Sequence, residues 1–249
     1  MAETTAPELW LGGTLLLRQP AFGHRAGTDA VLLATAVAES TGTLIDVGAG
    51  PGAVGLAVAR RAPAMQVALV EYNAEMAGLA RQNIEINGFL GRVQVFEADV
   101  MRPASRRAAA LVDGQADVVV SNPPFYQTGQ VRLSPLATQV AAHVLARGDL
   151  ARWIAACLAL LRPGGTFVMI HRPDALAEIL AASQGRMGGI RVLPVFPRSG
   201  AAAHRMLVKG RRGSRARLEI LPGLLLHEAD GSFAPKAAAL HRGEALVDW

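Results

Sequence analysis

Cysteine, aromatic residues and long apolar runs are all scarce in this chain. A single cysteine, Cys157, stands among 249 residues, so no intramolecular disulfide can form and a disulfide-stapled scaffold is excluded. It lies in the pattern Trp153, Ile154, Cys157, Leu158 and Leu161, which reads as one buried helix face with no electropositive neighbour to activate a thiol. Apolar residues make up 51% of the chain but are dispersed, and their runs stop well short of the roughly 20 residues that span a bilayer. The opening MAETTAPELW has no basic stretch followed by an apolar one, so no signal peptide is expected and the cytoplasm is the expected location. The six histidines show no metal-ligand spacing, and neither His-x-Glu nor Cys-x-x-Cys occurs, so a zinc deaminase is excluded and no metal is expected. No Gly-x-Ser-x-Gly elbow supports a hydrolase.

What is present is an alternation of strand-like and helix-like patterns from about residue 28 to 210. Thr28 ahead of Asp29–Val37 reads as a capped helix. Residues 43–47, 66–71, 92–96, 116–120 and 166–170 read as strands. Helices are expected over 53–61, from an Asn73 cap to Asn87-Gly88, over 149–161 with Arg162-Pro-Gly-Gly as its stop, and after Asp174. Residues 190–196 and 204–209 then read as an antiparallel pair. The expected fold is α/β and Rossmann-like: a mostly parallel seven-stranded sheet with an antiparallel edge hairpin and helices on both faces. A single domain over 1–249 is expected, with 1–42 as lead-in and first helix, 43–210 as core, and 211–249 as an extension. From Leu221 onward the periodicity is weak, as in a segment that wraps the surface or frays.

Two loops carry chemistry. In Leu44-Ile-Asp46-Val-Gly48-Ala-Gly50-Pro-Gly52, three alternating glycines lie between an apolar strand and a helix. Without side chains the backbone can pass close to a ligand, and the helix beyond offers free N–H groups. Glu71, at the end of the next strand, can accept both hydroxyls of a ribose, and Asp99 can accept from an adenine amino group. Gly50-Pro-Gly52-Ala-Val-Gly55 also satisfies the dinucleotide pattern, so the glycines alone leave a nicotinamide cofactor and S-adenosylmethionine both open. Asp46, placed to reach a methionine amino group, favours the latter.

The second loop, Ser121-Asn122-Pro123-Pro124-Phe125-Tyr126, follows the fourth strand and so faces the same crevice. An exocyclic amine is a poor nucleophile because its lone pair is delocalised into the ring. The Asn122 side-chain oxygen and the Pro123 carbonyl can draw its hydrogens out of plane, and the prolines fix the carbonyl direction. Phe125 or Tyr126 can stack on a base face. Hydride transfer has no use for this motif. The bland alternative is a strand terminator with a buried aromatic after it.

With these two loops the chain resembles the Asn-Pro-Pro-aromatic amino-methyltransferases, and more narrowly the bacterial valine-tRNA adenine-N6 methyltransferase family. The opening Gly13 to Leu33, with Arg25 and Thr28, is similar to that family's start, which borders the cofactor's methionine end. Pro197-Arg198, His204 to Gly213 and Gly231-Ser-Phe233 match its end. The resemblance implies S-adenosyl-L-methionine as cofactor, held by Arg25, Thr28, Asp46, Gly48, Gly50, Gly52, Glu71, Asp99 and Asn122, with Asn122, Pro123, Pro124 and Phe125 catalytic. Family members often carry Tyr after Pro-Pro, whereas this chain has Phe125. Ribosomal guanine-N2 methyltransferases share that Phe, so guanine remains an alternative base.

Formal net charge is +5 and the pI about 10.3, a balance that suits a polyanionic partner. Arg198 and the run Lys209, Arg211, Arg212, Arg215 and Arg217 are candidate contacts to RNA, expected to be tRNA; the alternative for the run is a solvated hairpin. Arg132 and Arg147 bracket the segment after Phe125, read as a substrate loop. Competing readings are a protein glutamine-N5 methyltransferase, an NAD(P)-dependent oxidoreductase and a non-catalytic RNA-binding module. The first usually carries a helical N-terminal domain, and the second lacks a Tyr-x-x-x-Lys here. The intact Asn122 loop speaks against the third.

Overall fold

The computed structural model describes residues 4–22, 25–124 and 149–249. A short hairpin opens it, β1 (Glu8–Trp10) and β2 (Leu15–Leu17). Helix α1 (Thr28–Thr35) leads into β3 (Thr41–Val47), α2 (Ala53–Arg61), β4 (Ala64–Glu71), α3 (Ala74–Ile86), β5 (Val93–Glu97), α4 (Pro103–Ala108) and β6 (Ala116–Ser121). After the segment that is not described come α5 (Asp149–Leu160), β7 (Leu161–His171), α6 (Leu176–Ser183), β8 (Met187–Arg198), β9 (Arg205–Arg212), β10 (Glu219–Ile220), β11 (Leu224–His227) and α7 (Pro235–His241).

Strands β3 to β11 form one sheet in the order β10-β8-β9-β7-β6-β3-β4-β5, with β11 also on β8. Strands β5, β4, β3, β6 and β7 run parallel, and β9 is antiparallel to both β7 and β8. The expected seven strands are present as β3 to β9. Two short strands, β10 and β11, add themselves parallel to β8, so the β8–β9 pair lies inside the sheet rather than at its edge. The stretch expected to wrap or fray instead pairs with the sheet, and its Ala237, Leu240 and Val247 are buried. Its Val247 N–H donates to the Thr35 carbonyl, and the Trp249 indole donates to Ala36.

Val118, Val119 and Val120 are fully buried, as a central strand covered on both faces requires. One apolar layer joins α1, α2, α3 and α7 to the sheet through Leu33, Leu56, Ile84 and Leu240. The other joins α5 and α6 through Ile154, Leu160 and Ile179, and includes Cys157, whose thiol is pushed up by burial. Burying a side chain of this size contributes about 1.5–3 kcal/mol, so the two layers fix the direction of every strand end above them.

Some local signals resolved differently. Gly27, not Thr28, is the residue before α1, and no side chain caps that helix. Asn73 does cap α3, its Oδ1 accepting from the N–H groups of Glu75 and Met76. Arg162-Pro-Gly-Gly does not separate α5 from its strand. Helix α5 passes straight into β7, whose irregular start contains all four residues. Asp174 lies in a short 3-10 turn, Pro173–Ala175, ahead of α6.

Candidate active site

Parallel strands β3, β4, β5 and β6 end on one side of the sheet, and the sequence motifs follow those ends. Beyond Val47 the chain bends through Gly48, Gly50 and Gly52 at φ of +73°, +55° and +90° before α2 begins. The bend is held by N–H groups of Gly48 and Ala49 donating to the Val70 carbonyl and of Gly52 donating to Ala49. A Cβ at Gly52 would stand 2.9 Å from Leu69, and one at Gly55 would stand 2.3 Å from it, so these two glycines let α2 pack on β4. A Cβ at Gly50 would meet nothing within 4 Å among the described residues. There the glycine serves a left-handed backbone facing open space, a cradle that a ligand can approach.

Asp46 is 2% exposed, and its Oδ2 accepts from the Gly55 N–H at 2.9 Å. Burial drives its pKa up to about 7, and the nearby Glu71 pushes the same way, against the pull of the Gly55 N–H. The Glu71 carboxylate accepts from Gly50 and Asn73, each at 2.8 Å. Each acid therefore braces the bend, while further lone pairs on its carboxylate stay open to a ligand. Asp99 sits past β5 on the same side. Its Oδ1 accepts from Met101 and its Oδ2 pairs with Arg102 at 3.1 Å, so both oxygens already hold the turn into α4.

Register places the second loop. β3 and β6 pair through Val47 and Ser121, so the next residues, Gly48 and Asn122, leave adjacent strands side by side, with strands about 4.8 Å apart. Asn122 Oδ1 is buried and has no hydrogen-bond partner among the described residues. Leaving a buried acceptor unmade costs about 1–3 kcal/mol, so the site holds an acceptor waiting for a donor. Pro123 is buried and Pro124 half-buried. Phe125, Tyr126, Arg132, Arg147 and His24 lie outside the described residues.

Two residues that sequence reasoning missed complete this corner. Ser121 is fully buried, and its hydroxyl donates to the Val47 carbonyl at 2.8 Å while accepting from the Trp153 indole N–H at 2.9 Å. The Trp153 ring occupies the space beside Gly48, 3.1 Å from where a Cβ would stand. The only available signal was that Trp153 shares the apolar face of α5, which made it look like core alone.

Asn83 and Asn87 on α3 were also unmarked. Asn83 accepts from the Arg18 N–H and donates to the carbonyls of Arg18 and Pro51; Asn87 accepts from Leu16 and donates to its carbonyl. These amides bond β2 as another strand would and tie the N-terminal lead-in to the glycine bend. Thr28 opens α1. Arg25 is exposed and forks onto Glu8 through bonds of 2.5 and 2.7 Å, so the structure does not bring it to the bend.

The basic candidates separate. Arg198 ends β8, which runs parallel to β11 and antiparallel to β9; it is exposed on the side where β6 and β7 end. Lys209 does not reach out to a polyanion. It is half-buried with its Nζ 5.2 Å from the Trp249 ring, and desolvation holds its pKa below the usual lysine value. Arg211 and Arg212 lie at the far end of the sheet. Because β9 is antiparallel, it descends from the site: Arg211 pairs with Thr166, level with Val118 and Leu44, about 10 Å below Val47 at roughly 3.3 Å per residue. There Arg211 donates to Gly164, and Arg212 donates to Ala159 and Leu161 at the negative end of α5.

This arrangement has close counterparts among known proteins. Residues 22–180, more than half of the chain, match the methyltransferase small domain family. A predicted O-methyltransferase, protein Atu636 from Agrobacterium tumefaciens, has a solved structure with 36% identity and a TM-score of 0.75, covering 88% of this chain and 98% of that one. TYW2 of M. jannaschii, solved with AdoMet, shares the fold at a TM-score of 0.55 and 14% identity, covering 80% of this chain and 82% of its own. The fold is that of a class I methyltransferase. The chain belongs to the methyltransferase small domain family, in company with the tRNA1(Val) (adenine(37)-N6)-methyltransferases. A protein of that name from Dyadobacter fermentans is 30% identical over 86% of this chain and 87% of its own, and one from Aeromonas hydrophila is 31% identical over 85% and 86%.

Proposed function

We propose that this protein is a tRNA adenine-N6 methyltransferase dependent on S-adenosylmethionine, acting on the exocyclic amine of the base that its relatives' names specify, adenine 37 of tRNA1(Val). The observation that carries the reading is the buried Asn122 Oδ1 beside the glycine bend, which has no hydrogen-bond partner among the described residues.

The residues present fit the cofactor. The open space at Gly50 receives a ligand at the backbone, Glu71 offers lone pairs to a ribose, and Asp46 is a buried acid whose single hydrogen bond among the described residues, from the Gly55 N–H, leaves lone pairs for an ammonium. Asp46, Gly48, Gly50, Gly52 and Glu71 would hold S-adenosylmethionine. When bound, it supplies a methyl group on a sulfonium, already activated for transfer. Asn122 Oδ1 accepts one N–H of the target amine and the Pro123 carbonyl accepts the other, which turns the lone pair out of the ring plane. The prolines hold the Pro123 carbonyl rigid, so catalysis is positioning rather than proton abstraction ahead of transfer, and the extra proton left on the methylated nitrogen passes to solvent. An amide oxygen accepts a hydrogen bond but takes up no proton, which suits an amine better than a hydroxyl and favours N- over O-methylation. Phe125 or Tyr126 would stack on the base. Arg198, on the side where the strands end, is the basic residue best placed for the RNA backbone.

The test is transfer of labelled methyl to tRNA from cells lacking this gene, followed by nucleoside analysis. Label in N6-methyladenosine is the expected result. Label in N2-methylguanosine would move the substrate, and label only in protein or small molecules would overturn the proposal.

A further inference from the structure

We propose that Trp153 is a positioning residue for methyl transfer, acting through Ser121 to hold the glycine bend and the Asn122 loop at one separation. This rests on the reading that those two loops meet across the reacting pair.

The β3–β6 register ends at Val47 and Ser121, just before the two loops diverge. Past that point side chains take over from the backbone ladder. The Ser121 hydroxyl donates to the Val47 carbonyl, which belongs to the same peptide as the Gly48 N–H. That N–H donates to the Val70 carbonyl at 2.9 Å. The peptide entering the bend is thus gripped from β4 on one side and from β6 on the other. The Trp153 N–H then fixes the direction of the Ser121 hydroxyl, because the oxygen that accepts from the indole must turn its own hydrogen to Val47. The indole ring also lies 3.1 and 3.3 Å from the position of a Gly48 Cβ, closing the last freedom of the bend toward α5. One ring and one hydroxyl therefore span the carrier of the donor and the carrier of the acceptor. Ser121 is itself the residue before Asn122, so a shift of the hydroxyl is passed directly to the acceptor amide. Fixing two reacting groups in this way is worth more to turnover than to the binding of either one.

The test compares Trp153→Phe, which loses both the N–H and the Cζ2–Cη2 edge that faces Gly48, with Ser121→Ala, which removes only the hydroxyl, and with the double variant. Turnover on tRNA, affinity for S-adenosylhomocysteine and thermal midpoint are measured for each. Trp153→Phe is expected to lower kcat about tenfold, with S-adenosylhomocysteine affinity within about twofold of wild type and little change in midpoint. The double variant is expected to be no worse than the weaker single one, since both break the same chain. Unchanged kcat, equal losses in kcat and affinity, or additive losses would overturn the proposal. A readout independent of RNA is the Trp153 indole N–H resonance, assigned by its disappearance in Trp153→Phe. It should shift when S-adenosylhomocysteine is added, and an unmoved resonance would overturn the proposal. Wild-type protein that shifts this resonance yet methylates no tRNA would refute the assigned substrate and leave the strut standing.

Discussion

Replacing Asp46 with Asn should make the cofactor-free protein more stable, by an amount that grows as pH rises from 3.8 to about 7. Asp46 is buried, and its pKa is raised from 3.8 to about 7. The raised value sets the sign. Below the unfolded value both states carry the proton and Asp46 is neutral to stability. Between 3.8 and about 7 the unfolded chain releases the proton while the folded one keeps it, so stability falls as pH rises and then levels off above the folded pKa. A difference of about 3 units at 1.36 kcal/mol each comes to about 4 kcal/mol. Asn keeps an oxygen for the Gly55 N–H and has nothing to ionise, so Asp46→Asn escapes the whole loss. For a chain of this size 4 kcal/mol corresponds to a midpoint shift on the order of 10 °C. Thermal melts of both proteins in the absence of ligand, taken from below the unfolded pKa of 3.8 up to alkaline pH at constant ionic strength, should converge at the acid end, diverge progressively as pH rises and level off above the folded pKa of about 7. Parallel curves would refute the argument, because the carboxylate would then carry no burial penalty. The same variant should bind S-adenosylhomocysteine more weakly, since a charge held in the fold at this expense is kept for a cationic ligand.

Other expectations follow the same logic. Asn122→Ala should abolish measurable turnover while leaving S-adenosylhomocysteine affinity within about twofold, and by deleting an unpartnered buried acceptor should not destabilise the fold by more than about 1 kcal/mol; calorimetry and melts check both, and equal loss of binding would make Asn122 structural. Gly50→Ala meets no steric neighbour, so its backbone strain should cost about 1–2 kcal/mol of stability, and a larger loss of cofactor affinity in titration would mark Gly50 as a ligand contact. Arg198→Glu should weaken tRNA binding and flatten its salt dependence, whereas Arg211→Glu should leave both unchanged; filter binding across a salt series separates them. Asn83→Ala removes bonds to Arg18 and Pro51 and should lower stability by about 2–3 kcal/mol, read as a lower melting midpoint with proteolysis beginning in the first 20 residues.

The elements with strong local periodicity were legible from residues alone. The valine run at 118–120, the Asn73 cap and the glycine bend each state their structure through short-range rules. So does the crevice: once β3 and β6 are parallel neighbours, Asp46, Glu71 and Asn122 must arrive on one side. The strands β10 and β11 were not legible, because two to four residues pairing with a strand some 30 positions away leave no pattern in their own sequence. The basic run from Lys209 looked like a polyanion path because sequence order carries no direction. Only the antiparallel pairing of β9 decided that Arg205 lies by the site and Arg212 at the far end of the sheet. In the same way, residue types alone determined that an acceptor amide follows a strand. That Trp153, 31 residues beyond Asn122, lies against the bend was decided by packing, since it is the docking of α5 on the sheet that sets that ring beside Gly48.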